Sequence, residues 1–142
     1  MRILAVFAVA LGAWAQPAPF TLDQVLSAAF PSDLTAAPTG GKVAWVSYSQ
    51  GVRNLMVAEP PAYKSRNITH YTEDDGQDLL EPRWTPDASA IVYVRGSGAN
   101  RAGESPNPAL ITAGAAEDIW IVSLDGAAPR KKPSLIRRSI LA

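Results

Sequence analysis

The chain has 142 residues, with 13 Lys/Arg, 13 Asp/Glu and no cysteine. Without cysteine there is no disulfide framework, so stability must come from packing. The balanced total hides a division: residues 16–129 carry seven basic and thirteen acidic side chains, while residues 130–142 carry five basic ones and no acid, and an acidic body argues against nucleic acid as a partner.

The chain opens on Met1-Arg2, an uncharged apolar run from Ile3 to Ala13, and the small-x-small step Ala13-Trp14-Ala15. That is the layout of a cleaved secretory signal over residues 1–15. The alternative is a membrane anchor, but a span needs about 20 apolar residues and this run is shorter. The expected mature chain, 16–142, is therefore exported, periplasmic or secreted, with no membrane span. Within residues 16–36, Thr21-Leu22-Asp23-Gln24 has the spacing of a capping box. Leu22, Val25, Leu26 and Ala29 then share one face. The expectation is a short helix over 21–29, packed on the segment C-terminal to it and ended by Phe30-Pro31.

From residue 37 the apolar period becomes two. Strands are expected over 43–48, 53–58, 66–70 (weaker), 80–84, 90–95 and 118–124. Residues 96–116 hold four Gly and two X-Pro steps and read as a long loop. Two segments repeat. Ala37-Pro38-Thr39-Gly40-Gly41-Lys42-Val43-Ala44-Trp45-Val46 aligns with Thr85-Pro86-Asp87-Ala88-Ser89-Ala90-Ile91-Val92-Tyr93-Val94 at an offset of 48. Asn54-Leu55-Met56-Val57-Ala58 aligns with Asp118-Ile119-Trp120-Ile121-Val122 at an offset of 64, so the second copy carries a 16-residue insertion after Gly96. Self-similarity at this period is the signature of a repeat architecture. Three strands and the short one around Trp84 make a four-stranded antiparallel unit. The expected fold is all-β: about one and a half such units over 37–130, followed by a basic non-repeating tail over 131–142.

Glu81-Pro82-Arg83-Trp84-Thr85-Pro86-Asp87 followed by Ile91-Val92-Tyr93-Val94 resembles a β-propeller repeat, P-x-W-S-P-D-G and then an apolar strand. Asp118-Ile119-Trp120-Ile121-Val122-Ser123-Leu124-Asp125-Gly126-Ala127-Ala128-Pro129-Arg130 resembles its continuation, and Arg66-Asn67-Ile68-Thr69 resembles the R-x-L-T that closes a blade. These motifs are those of TolB-like propellers and of the N-terminal propeller of the prolyl oligopeptidase family, including its dipeptidyl peptidase IV and acylaminoacyl peptidase branches. The resemblance covers residues 20–130, with Thr39 where the pattern has Asp and Ala88-Ser89 where it has Gly, so both Pro-turns should still close, less tightly. It implies the N-terminal propeller fragment of an exported serine peptidase, whose partners would be a C-terminal α/β-hydrolase domain and a peptide substrate. The alternative it implies is a periplasmic TolB-like protein-binding module. Trp45, Trp84, Tyr93 and Trp120 would pack between stacked blades. At Lys132-Pro133 the second copy stops matching, and the expectation is a departure from the ancestral reading frame near residue 131 and a truncated product.

No catalytic, cofactor or metal residue is assigned. The family's triad needs a serine in a G-x-S-x-G elbow. Gly96-Ser97-Gly98 lacks that spacing, and His70, the one histidine, has no serine elbow to serve. The Glu73-Asp74-Asp75 and Asp78 carboxylates lack EF-hand spacing and read as a solvated turn. Asn67-Ile68-Thr69 matches a glycosylation sequon, expected to be coincidental in an exported bacterial-type chain. Asn100-Arg101-Ala102-Gly103-Glu104-Ser105 is the best recognition segment, weighed against a plain disordered loop. The chain alone is expected to be inactive.

Overall fold

The computed structural model describes residues 20–107, 110 and 116–133. The expected signal over 1–15, residues 134–142 of the tail and part of the long loop lie outside these residues.

The first element, α1 (Leu22–Leu26), carries the capping box read from the sequence: the Thr21 hydroxyl accepts from the Gln24 amide at 3.2 Å, and the Gln24 side chain accepts from the Thr21 amide at 3.0 Å. The helix is a single turn, shorter than expected, and none of its residues is buried. Leu22, Val25 and Leu26 face outward rather than packing on the strands after the helix. The chain leaves the helix early because Phe30 already belongs to a strand.

Among the described residues, eight strands come next. They are β1 (Phe30–Ala36), β2 (Val43–Ser49), β3 (Val52–Ala58), β4 (Arg66–Asn67), β5 (Leu79–Trp84), β6 (Ala90–Arg95), β7 (Asp118–Ser123) and β8 (Arg130–Lys131). They form two four-stranded antiparallel meanders, β1-β2-β3-β4 and β5-β6-β7-β8. The fold is all-β, with two complete sheets rather than one and a half. The additional strand is β1. Pro31 sits in it opposite Ser47, which is tolerated because β1 is an edge strand.

The two sheets repeat one another down to backbone detail. β1 and β5 each carry a bulge against their neighbour, between Ser32 and Thr35 and between Leu80 and Arg83. Each bulge holds an acidic residue at positive φ, Asp33 (53°) and Glu81 (48°), which stand 48 positions apart. Each Pro-turn closes with one equivalent bond, Ala37 N to Lys42 O at 2.8 Å and Thr85 N to Ala90 O at 2.9 Å. Both turns close, as expected, and the second is as tight as the first. Ala88 takes the left-handed φ of Gly40, and Asp87 ties the turn by accepting from the Thr85 and Ser89 hydroxyls. The repeat also runs further than its side chains show. Lys132 N bonds Ile119 O at 2.7 Å, just as Ile68 N bonds Leu55 O at 2.9 Å. Pairing therefore takes in Lys131 and Lys132, which the sequence pattern assigned to the tail, because a β-ladder uses backbone groups alone.

The core lies between the sheets. Side chains alternate across a strand, and the register places Ala44, Val46, Leu55 and Val57 on one face of the first sheet. They pack on Leu79, Trp84, Ile91, Tyr93, Trp120 and Val122 of the second. β5 touches β1, β2 and β3, while the outermost strands β4 and β8 make no contact with each other. The sheets thus approach closely at the β1/β5 side and splay apart towards β4 and β8. Polar links cross the seam, among them Trp84 Nε1 donating to Thr35 O at 3.3 Å and Lys42 Nζ donating to Ala88 O at 3.2 Å.

Candidate functional site

The two sheets do not meet through the same face. The packed face of the first sheet contains Ala44, Val46, Leu55 and Val57, whose repeat counterparts are Val92, Val94, Ile119 and Ile121. The register puts those four on the face of the second sheet that points away from the core. Conversely, the packed residues Ile91, Tyr93 and Trp120 correspond to Val43, Trp45 and Met56, which share the outer face of the first sheet. The stacking is therefore head-to-tail, a heterologous contact that leaves one face of each kind open.

Burial shows the consequence. Leu55 is 0% exposed, while its counterpart Ile119 is 52% exposed. On the first sheet, Pro31, Ser32, Asp33, Leu34 and Trp45 line an apolar groove of about 460 Å³, and Leu34 stands 73% exposed in it. Of the four aromatic residues expected between sheets, Trp84, Tyr93 and Trp120 pack at the seam. Trp45 instead lines the open groove. Strands buried on one side only would alternate apolar and polar residues. The continuous runs Val43-Ala44-Trp45-Val46 and Ile119-Trp120-Ile121-Val122 make both faces apolar.

At one end of the seam the acidic turn is a clamp rather than a solvated loop. Arg53 of the first sheet pairs with Asp74 at 3.1 Å and with Asp78 at 3.0 Å, and Arg95 of the second pairs with Asp75. Burial opposes the Arg53 charge, but the Asp74 hydrogen bond and the fields of Asp78 and Asp74 outweigh it, so its pKa is raised. Arg53 lies over the Tyr48 ring at 5.2 Å and Arg95 over the Tyr71 ring at 4.4 Å. Tyr71 and Tyr93 share a hydroxyl–hydroxyl bond of 2.8 Å. Gly51 at φ 83° ends the β2–β3 hairpin, and a Cβ there would lie 2.1 Å from the Asp74 carboxylate, so the clamp needs glycine at that position.

Below the clamp, the buried Thr69 fastens the end of the first sheet. Its hydroxyl accepts from Leu55 N and donates to Asn54 Oδ1, both at 2.8 Å. Asn54 in turn accepts from Tyr71 N and donates to Tyr71 O, both at 2.9 Å.

The residues weighed for chemistry are scattered. His70 is exposed and lines a shallow cleft of about 220 Å³ with Tyr71, Thr72, Glu73, Asp75 and Arg95. Ser97 donates to Asp78 at 2.9 Å. Asn100 closes its own turn, accepting from Ala102 N at 2.8 Å and Glu104 N at 3.0 Å, so the recognition segment binds itself at the surface. A second cleft of about 210 Å³ lies between the bulges of β1 and β5, lined by Asp33, Leu34, Thr35, Glu81, Pro82 and Arg83. Among the described residues, no group of three or more His, Asp or Glu is placed to hold a metal ion. No described helix is long and apolar enough to cross a membrane.

The sequence pattern missed the clamp because Arg53 and Arg95 lie 42 residues apart, one in each repeat. A visible signal was the run of aspartates just before β5, opposite two arginines at strand ends. Comparison with protein-family models, with curated proteins and with solved structures finds no match to this chain.

Proposed function

We propose that this chain is a two-blade segment of a β-propeller, the N-terminal portion of an exported prolyl oligopeptidase-like serine peptidase. The observation that supports this reading is the head-to-tail stacking, with sheets that converge at β1/β5 and splay at β4/β8. Repeating that step turns each new sheet about the converging side, which is how radial repetition builds a propeller. By the usual blade counts, about a quarter of a seven- or eight-bladed ring is present. The Pro-turns and blade-closing motifs point the same way.

In this reading the chain is scaffold, not catalyst. Its strands would form part of the wall that limits which peptides reach a hydrolase domain elsewhere in the parent. The peptidase chemistry would belong to a serine elbow and its acid–histidine partners on that domain. Sequencing the encoding DNA downstream, in every frame, tests the proposal. Further Pro-turn repeats followed by G-x-S-x-G and later Asp and His are expected. Repeats without the elbow would favour a TolB-like protein-binding module, and the absence of further repeats would remove the propeller reading. Residues 16–142, assayed on dipeptide and acyl-peptide chromogenic substrates, are expected to show no turnover. Turnover abolished by a single Ser→Ala change would contradict the scaffold role.

A further inference from the structure

The two open faces are not merely apolar; they match each other. The outward face of the second sheet presents Val92, Val94, Ile119 and Ile121, all aliphatic, at the repeat positions of Ala44, Val46, Leu55 and Val57. The outward face of the first sheet presents Val43, Trp45 and Met56 at the repeat positions of Ile91, Tyr93 and Trp120. Within the chain, the aliphatic kind of face already packs on the aromatic kind. Small aliphatic side chains opposite large rings can reproduce between copies the close packing of the internal seam.

We propose that the chain associates with a second copy of itself, the outer face of its second sheet docking on the outer face of its partner's first sheet. The proposal rests on the propeller-repeat reading and extends the interface already present between the sheets. The contact is heterologous, so each assembly keeps one free face of each kind, and growth continues until a ring closes. It is weaker than the internal seam. The donors Trp84 and Lys42, which bridge the two sheets, have Ala36 and Ala90 at their repeat-equivalent positions. Neither can donate a side-chain hydrogen bond, so the contact between copies lacks both bridges.

Sedimentation velocity on the full chain over a range of concentrations tests this, with two blocking variants. Ile119→Lys closes the aliphatic face and Leu34→Lys closes the groove beside Trp45. Both side chains are more than half exposed, so folding is spared, and circular dichroism checks that it is. The wild type is expected to rise in mass with concentration. Each variant alone is expected to stay a monomer. An equal mixture is expected to give a species of two chains and no larger one, because each variant retains the face the other lacks. A wild type that stays monomeric at every concentration overturns the proposal. A single variant that dimerises by itself also overturns it, since that contact would pair like faces. So does a mixture that remains monomeric. None of these results bears on the downstream sequence, so the parent assignment stands or falls separately.

Discussion

The head-to-tail seam makes a sharp prediction about two residues that occupy one repeat position. Leu55 and Ile119 stand 64 positions apart and at matching places in β3 and β7, yet they are 0% and 52% exposed. Truncating each to alanine removes comparable side-chain volume. Leu55 lies in the packed seam with Val57, Ile91 and Tyr93, and its loss leaves a cavity there. Buried Leu→Ala changes cost about 3–5 kcal/mol, the transfer of the lost carbons plus the void. Ile119→Ala removes carbons that are about half in water already and leaves no enclosed void. At about 0.8 kcal/mol per buried methylene, its cost is about 1 kcal/mol. The measurement is urea unfolding followed by tryptophan fluorescence, at concentrations low enough to keep the chain monomeric. Leu55→Ala should lower the midpoint several-fold more than Ile119→Ala, with unchanged slopes. Equal shifts would mean that the two faces are equally covered, and the head-to-tail stacking would be wrong.

The polar network and the titrating groups give three further expected outcomes. Thr69→Val keeps the shape but removes the acceptor for Leu55 N and the donor to Asn54; leaving a buried amide unpaired costs about 1–3 kcal/mol, read as a lowered urea midpoint. Hydrogen bonds from Thr85 and then Ser89 hold the Asp87 carboxyl at about 2, below its usual 3.8. A lowered folded pKa stabilises above the unfolded value and is lost as pH falls, so the stability gap between wild type and Asp87→Ala should shrink between pH 3.8 and about 2. Burial and then the Tyr71 hydrogen bond raise the Tyr93 hydroxyl above its usual 10.0. A raised pKa gives stability that is complete below pH 10.0 and lost as pH climbs beyond it, so the thermal midpoint should fall in that alkaline range and fall less in Tyr93→Phe.

Much of the fold was legible because local chemistry and repetition agree. The Pro-turns, the strong runs in β2, β6 and β7, and the capping box of α1 each announce themselves over a few residues. β1 did not. Phe30-Pro31 reads as a helix end, and only the partner strand β2 makes an edge strand of the residues from Phe30 to Ala36. Yet the offset of 48 that aligns the Pro-turns also places residues 31–36 on β5, so the signal was present in the repeat and absent from propensity. β8 was invisible for the opposite reason: Arg130 and Lys131 have no strand character, and pairing with Trp120 and Ile121 imposes it. The clamp could not be read locally, since it joins Arg53 and Arg95 through a turn that belongs to neither sheet.

The two kinds of interaction at the seam divide the work. The apolar pattern is common to both copies, so any sheet of this type could stack on any other, and shape alone would not fix their order. The polar links belong to this seam. Arg53 has Glu117 at its counterpart position, Arg95 has Ser47, Trp84 has Ala36 and Lys42 has Ala90. None of these counterparts can make the same contact. Breaking one partner of such a link leaves an unmet donor or charge at the seam, which penalises the wrong neighbour more than it strengthens the right one. Repetition thus supplies the stacking surface, and departures from repetition specify which sheet lies next to which. The side chains that break the repeat at the seam, rather than those that obey it, set the order of the two units.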